Sequence, residues 1–399
     1  MTILKALDGC IYRASLKLAK DAKDRYHRRR MIEANTGLVD VFAPDWDEED
    51  REREYQTKVL PYWEKFGRAP RRFWFELAGS RDRKMEPGYI PSDLYYLELL
   101  PYMNNLQFRF ALEDKNSLDL RFPDVKQART VCRKMAGEYY DGDMNLIGED
   151  EAVKLCLEEG ARGEDGEDGK NAELFIKPTL YSGFGKGIQR FRPSQCSLEK
   201  IRELFRETGA NHIVQEAIIQ HEVLSSMNPD SVSTIRVTSL FMDGEVYIPN
   251  VYIRVGVPGS SHVVVGSEYN AQILPDGSIS PMICLDEGGW FDNRVEGIFD
   301  EGIIIPGMNR VLAEARRLHP RVGHFKWIGW DFTLDQDGDP LLIEFNTTPG
   351  DNAQRVCGRP LFGEMTDRVL EDYFSTRSLE SNQVGGAWIT NEDIRKYRE

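Results

Sequence analysis

Trp327-Ile328-Gly329-Trp330-Asp331-Phe332-Thr333-Leu334-Asp335-Gln336-Asp337-Gly338-Asp339-Pro340-Leu341-Leu342-Ile343-Glu344-Phe345-Asn346 consists of two apolar runs that close on an Asp-Gly turn, each delivering one acid. Asp-Gly between β-rich runs is a strong hairpin signal. A two-residue loop at Asp337-Gly338 pairs Gln336 with Asp339 and, counting back, sets Asp331 opposite Glu344. Side chains alternate along a strand, so Asn346 shares the face of Glu344, and opposed Cβ atoms lie roughly 5 Å apart. Three oxygen ligands converge.

Two carboxylates this close, flanked by Trp, Phe, Leu and Ile, repel each other in a half-buried sheet unless a cation lies between them. Oxygen-only ligation without His or Cys suits Mg²⁺ shared with phosphates better than Zn²⁺. The competing reading is an ordinary edge hairpin with solvent-facing acids. A calcium loop built on Asp335, Asp337 and Asp339 fails, because Pro340 stands where that loop needs Gly and Asn346 where it needs Glu.

The surrounding chain of 399 residues is long enough for two or three domains, and 41% hydrophobic content with seven Trp marks it as globular. A net charge of -15 argues against nucleic-acid binding, which needs a basic surface, and favours a small substrate. Six cysteines (Cys10, Cys132, Cys156, Cys196, Cys284, Cys357) show no Cys-x-x-Cys spacing and fit reduced, buried thiols. No apolar run reaches the roughly 20 residues of a transmembrane helix, and the segment from Met1 to Asp8 lacks a signal-peptide core, so a cytoplasmic location is expected.

From the N-terminus, residues 10–34 read as a helix with a basic stripe (Lys17, Lys20, Lys23, Arg25, Arg28, Arg29, Arg30), either solvated or facing a membrane or partner. An acidic run and an aromatic-rich region with Trp63, Trp74 and Phe75 follow, as core or as a pocket lining. Residues 160–170 are rich in Gly and acid and mark a mobile loop at a domain seam. A strand then ends on Lys177, ahead of Tyr181-Ser182-Gly183-Phe184-Gly185-Lys186-Gly187, whose alternate glycines let N–H groups cradle an anion. It is no Walker A loop, since Leu180 and Gly187 stand where Gly and Ser/Thr are required. A strand from His212 to Ile219 offers its backbone to an adenine edge, with Glu222 downstream for ribose hydroxyls. Arg236, in an apolar strand of a second hairpin turning at Asp243-Gly244, calls for an anion, and phosphate is the natural one.

In this order the residues resemble the ATP-grasp superfamily, and Asp114-Lys115-Asn116, Phe122-Pro123-Asp124-Val125-Lys126-Gln127 and Ser231-Val232-Ser233-Thr234-Ile235-Arg236 resemble its sugar-transfer-associated group. The resemblance covers about residues 90–360 and implies an α+β ATP-grasp fold, two α+β lobes clasping the nucleotide behind a helical N-terminal region. Expected boundaries are 1–110 for that region, 111–215 for the N-lobe with its lid at 173–215, 216–375 for the C-lobe and 376–399 for a tail. By resemblance, Lys115 and Lys177 contact phosphates, Ser182, Gly183, Gly185 and Gly187 cover them, and Gln215, Glu216, Ile218 and Glu222 hold the nucleoside. Asp331, Glu344 and Asn346 hold two Mg²⁺, with Arg236, Arg254 and Lys186 acting in catalysis.

The implied activity is ATP-dependent, ADP-forming joining of a carboxylate, activated as an acylphosphate, to an amine, in polysaccharide or cell-surface glycan synthesis. Small-molecule carboxylates and amines, amino acids and sugar acids among them, are the expected partners, and a homodimer is open. A phosphotransferase with a hydroxyl acceptor, or a non-catalytic nucleotide-binding protein, would share the nucleotide site. One departure stands out: many ligases of this type carry an arginine two residues before the metal Asp, and here Gly329 occupies that position. Its role falls to Arg236, Arg254 or Lys326. An ideal turn at Asp243-Gly244 puts Arg236 and Arg254 on opposite faces, and only a bulge brings them together.

Overall fold

The computed structural model describes residues 2–162, 173–180, 187–260, 266–285 and 288–377. Two antiparallel sheets organise them. The first contains β1 (Thr130–Met135), β2 (Glu138–Asp141), β3 (Leu146–Ile147), β4 (Leu174–Pro178), β5 (Gln189–Phe191) and β6 (His212–Glu216), in the order β3-β2-β1-β6-β4-β5. The second contains β7 (Thr234–Met242), β8 (Glu245–Gly256), β9 (Glu268–Ile273), β10 (Ile279–Leu285), β11 (Gly289–Asp292), β12 (Trp327–Leu334) and β13 (Pro340–Asn346). Its order, β11-β10-β9-β8-β7-β12-β13, places β7 next to β12 although some eighty residues separate them in sequence. This is an α+β architecture of two antiparallel sheets, preceded by helices.

Each sheet is backed by helices whose apolar stripes it buries. Glu149–Arg162 and Leu198–Thr208 cover the first sheet through Val153, Cys156, Ile201, Leu204 and Phe205. Ser197 caps the second of these helices by accepting from the Lys200 N–H, and Gly209 ends it at φ +93°. In the second sheet, residues alternate between faces along each stretch between its register shifts. Ile235, Val237, Ile253, Ile328, Trp330 and Phe332 pack against the helix Met308–Leu318. The opposite face carries Arg236, Tyr252, Arg254, Asp331 and Glu344 in its middle. Towards one end Leu240, Tyr252 and Trp327 join the N-terminal helices, so that Trp63, Trp74, Phe75 and Tyr95 are core rather than pocket lining.

Thr2–Thr36 forms one helix, and its C-terminal part is tied to the body by Arg28, which pairs with Asp93 and Glu98. Among the described residues no helix is long and apolar enough to cross a membrane. Cys132, Cys156, Cys284 and Cys357 are buried free thiols, and Cys196 is half-buried.

Three sequence expectations need correction. The strand expected from His212 to Ile219 stops at Glu216: the Ala217 N–H makes a last bond in the β4 register, to Glu173 O, and by His221 the chain has crossed to the second sheet, where its N–H bonds Leu334 O. The hairpin loop at Asp337-Gly338 has three residues, not two. The Asp335 N–H bonds Asp339 O (3.0 Å), the Gly338 N–H bonds Asp335 O (2.9 Å), and Gly338 lies at φ +76°. Asp335 Oδ1 also accepts from the Asp337 and Asp339 N–H groups, so these acids shape the turn. Leu334 therefore faces Pro340, one residue out of the expected register, and a bulge between Phe332 and Asp331 restores it. Beyond the bulge Asp331 faces Glu344 and Gly329 faces Asn346, as required for a shared site.

The third correction concerns the arginines. Asp243 (φ +53°) and Gly244 (φ +83°) form the expected two-residue turn, which pairs Met242 with Glu245. A register shift between Leu240 and Thr238 then sets Arg236 opposite Tyr252 and Thr234 opposite Arg254. The ideal register is overruled, and both arginines share one face.

Candidate functional site

Strand pairing builds the site. Asp331 sits between Arg236 on β7 and Glu344 on β13, giving a row Glu344–Asp331–Arg236–Tyr252 across four strands. Asp331 is 2% exposed and receives both Nε and Nη2 of Arg236, the latter at 2.8 Å. Arg254 Nη1 approaches the same carboxylate at 3.7 Å, while Arg254 Nε and Nη2 grip Glu268 at 3.0 and 2.8 Å. Asn346 Nδ2 donates to Asp331 Oδ2 at 3.2 Å. Burial works against the charge on both guanidiniums, but these carboxylates more than offset it and push both further from deprotonation.

The pairing corrects two expectations. Arg236 has its anion within the protein, in Asp331 rather than a bound phosphate. Asp331 and Glu344 do not depend on a metal to relieve their repulsion either, since each has its own cation: Lys115 Nζ lies 2.9 Å from Glu344 Oε2. For Glu344, burial opposes ionisation, but Lys115 and, further off, Arg236 and Arg254 hold its carboxyl down at about 2.

Lys115 is placed by local chemistry on both sides. The Asp114 side chain accepts from the Asn116 N–H at the head of the turn Lys115–Ser117, and Asn116 Nδ2 reaches Lys134 O and Thr179 Oγ1 of the first lobe. Two residues upstream, Glu113 Oε1 accepts from the backbone and hydroxyl of Thr347, at 2.6 and 2.7 Å. Glu113 thus ties this segment to the residue after Asn346. Sequence reasoning did not select it, although the signal was an acid two residues from one site lysine.

Lys177 comes from the first sheet, at the end of β4, where its ammonium meets the side-chain amide of Gln215 at 3.2 Å. With an amide in place of a carboxylate, burial and then repulsion from Lys115 depress it to about 8. Gln215 and Glu216 point to opposite faces of β6: the first joins Lys177, the second pairs with Arg129 at 2.7 Å, away from the row. The Glu216 N–H also bonds Arg129 O. Ile218 is half-buried in the crossing. Glu222 is exposed as the first residue of the helix Glu222–Met227, which His221 caps through Nδ1. Gly187 is at φ +76° with a built Cβ 2.9 Å from Pro178, so only glycine fits there. Ser182, Gly183, Gly185 and Lys186 lie outside the described residues. Lys126, unremarkable in the sequence, pairs with Asp335 beside the hairpin turn.

Gly329 has a physical explanation. A Cβ there would sit 2.9 Å from Pro349 Cβ and 3.4 Å from Arg236 Cδ. The space beside Asp331 is filled by an arginine reaching across from the neighbouring strand.

The donors fit a hard cation. Asp331, Glu344 and Asn346 offer two carboxylates and an amide, all oxygen donors. Glu344 is held ionised, Asp331 retains lone pairs beyond those used by Arg236, and a flip of the Asn346 amide presents its oxygen. Among the described residues no group of three or more His, Cys, Asp or Glu is placed to hold a metal, which leaves this mixed set. A cavity of about 560 Å³, lined by Asp119, Phe122, Arg129 and Glu159, lies against β1 and includes none of the row.

The family model described as sugar-transfer associated ATP-grasp matches residues 297–369, the segment that carries β12, β13 and all three candidate oxygen donors. That segment of the chain is similar to the ATP-grasp superfamily. Similar solved structures include D-alanyl-alanine synthetase A of Vibrio cholerae, at 14% identity over 67% of this chain and 66% of that one, TM-score 0.40. The VanG D-Ala:D-Ser ligase of Enterococcus faecalis overlaps at 17% identity over 66% of this chain and 62% of that one, TM-score 0.39. The chain therefore spans just under two thirds of the length of each of them. No curated protein matches it.

Proposed function

We propose that this ATP-grasp protein is a cytoplasmic ligase that activates a small-molecule carboxylate as an acylphosphate and joins it to an amine, releasing ADP and phosphate. The observation that supports it is the meeting of two cations of the first lobe, Lys115 and Lys177, with the row Glu344–Asp331–Arg236 of the second. In this reading residues 111–215 and 216–375 are the two lobes that clasp the nucleotide. Lys115 and Lys177 neutralise its phosphates, Gln215 orients Lys177, the main chain at Ile218 reads adenine, and Glu222 takes the ribose. Ser182, Gly183, Gly185, Lys186 and Gly187 close over the phosphates and exclude water from the acylphosphate. Asp331, Glu344 and Asn346 hold two Mg²⁺, whose charge offsets that of the phosphates when bound.

Positioning and charge neutralisation carry the chemistry. A carboxylate oxygen of the substrate attacks the γ-phosphorus and ADP leaves. The amine then attacks the acyl carbon, and phosphate departs. Arg236 and Arg254, rigidly held by Asp331 and Glu268, present guanidinium edges to the oxyanion that develops. The description of the matched family as sugar-transfer associated supports a place in polysaccharide or cell-surface glycan assembly.

The test is incubation with Mg·ATP and pools of amino acids, sugar acids and amines, reading ADP and free phosphate. Amine-dependent release of both is expected, and Glu344→Ala should lower it on the order of 10²-fold or more. ADP formation with a hydroxyl acceptor and no free phosphate would replace the ligase by a phosphotransferase. Tight ATP binding with a flat response to every pool would leave only a nucleotide-binding role.

A further inference from the structure

The first sheet has a concave surface on the side away from Lys177. Glu216 turns to that side, where Arg129 Nη2 meets it at 2.7 Å and also pairs with Glu159 of the helix Glu149–Arg162. Beside this bridge lies the cavity of about 560 Å³, within the size range of small-molecule sites. Part of its wall is apolar, with Phe122, Val125 and Val131 buried and Leu155 half-buried. The rest includes four carboxylates, Asp119, Asp141, Asp143 and Glu159.

Two of these carboxylates have their own cations. Arg129 serves Glu159, and Arg133, fully buried behind the wall, grips Asp119 through Nη1 at 3.0 Å and Nη2 at 2.7 Å. Asp141 and Asp143 have none among the described residues. Asp141 folds the turn by accepting from the N–H groups of Asp143 and Asn145, at 2.9 and 2.8 Å, and Asp143 is exposed. Between them Gly142 lets the turn lie on β1, since a Cβ there would meet Thr130 O at 2.6 Å. Two uncompensated negative charges are thereby held beside an apolar wall.

We propose that this cavity is a second ligand site, for a small organic cation: a protonated amine set against Asp141 and Asp143, with an apolar body on Phe122, Val125, Val131 and Leu155. The charge selects the amine and the apolar wall supplies affinity that a bare metal ion could not use. The site shares a wall with the nucleotide side. Ala128, which lines the cavity, accepts through its carbonyl from Gln215 Nε2 at 3.3 Å, and Gln215 Oε1 accepts from Lys177 Nζ at 3.2 Å. In the same linker Lys126 O accepts from the Leu342 N–H of β13. A ligand that fixes Ala128 therefore acts on the amide that orients Lys177. This link to nucleotide binding rests on the ligase reading above; the cation site does not.

The test uses hexylammonium on the full-length protein, with hexanol and hexanoate as neutral and anionic counterparts, read by saturation-transfer NMR. Saturable binding of hexylammonium is expected, with both counterparts much weaker. Leu155→Trp, which fills the cavity, should weaken it about tenfold or more. Asp143→Lys reverses an exposed charge that has no ion pair to break, so the fold survives, and should weaken it about threefold or more. Glu344→Gln, in the charged row, should leave it unchanged, which separates the cavity from the row. In parallel, saturating hexylammonium should shift the affinity for a non-hydrolysable ATP analogue about threefold or more, and the analogue should shift hexylammonium affinity by the same factor. No hexylammonium binding, equal binding in wild type and both cavity variants, or hexanoate bound in its place overturns the site. Binding at the cavity with unchanged analogue affinity overturns the link through Gln215. Binding at the cavity by a protein that takes no ATP analogue overturns the nucleotide reading and leaves the cation site standing.

Discussion

The two lobes bring cations to the site in opposite electrostatic states. On the second sheet Arg236 and Arg254 are gripped by Asp331 and Glu268, each through two nitrogens, before any ligand arrives. On the first sheet Lys177 has an amide for company and another lysine nearby, and its pKa falls to about 8. One half is finished and rigid; the other is a buried cation short of an anion. The difference marks where phosphate would relieve the structure most, at Lys177, and which groups serve as fixed scaffolding, the arginines.

The comparison breaks most readily at Asp331. Its removal leaves Arg236 buried without its partner and deprives Arg254 of a neighbour, so Asp331→Ala should cost on the order of 3–5 kcal/mol of stability in urea unfolding. Combining it with Arg236→Met should recover a large part of the loss, because an apolar pair of similar volume replaces a buried charge pair at little net cost. Loss in the double variant equal to the sum of the single losses would show that the pair is not a unit.

Local chemistry was legible in the sequence, and long-range pairing was not. The turn at Asp243-Gly244 has the positive φ angles its residues demand, and Asp331 does face Glu344. That facing was nevertheless reached through two deviations that cancel, a three-residue loop and a compensating bulge at Ile343. Neither is encoded in the turn dipeptide; both follow from how β13 lies on β12 and the first lobe, where the Leu342 N–H bonds Lys126 O. The partner of Arg236 was out of reach for the same reason, since β7 and β12 are joined only by the sheet order.

A smaller effect sharpens the rigid half. In Gly329→Ala the new methyl meets Pro349 Cβ, a ring atom that cannot swing aside, and touches Arg236 Cδ. The strain should cost about 1–3 kcal/mol and tilt the Arg236 guanidinium, lowering turnover without weakening nucleotide binding. A stability equal to wild type, read by thermal unfolding, would mean that the Pro349 turn moves freely.

The unfinished half is probed by pH. Phosphate binding favours the charged form of Lys177, so its pKa rises in the complex and a proton is taken up whenever nucleotide binds at or above the free value of about 8. Affinity for a non-hydrolysable ATP analogue should therefore be flat below pH 8 and weaken above it, by up to about tenfold per unit until the raised pKa of the complex is passed. The arginines cannot produce this slope, since their carboxylates keep them protonated throughout the range. Lys115 is held protonated by Glu344 and contributes only at higher pH. Lys177→Met should bind the analogue more weakly at pH 7 and lose the slope between pH 8 and 9. A slope that survives the substitution would assign the titration elsewhere and remove the contrast between the lobes.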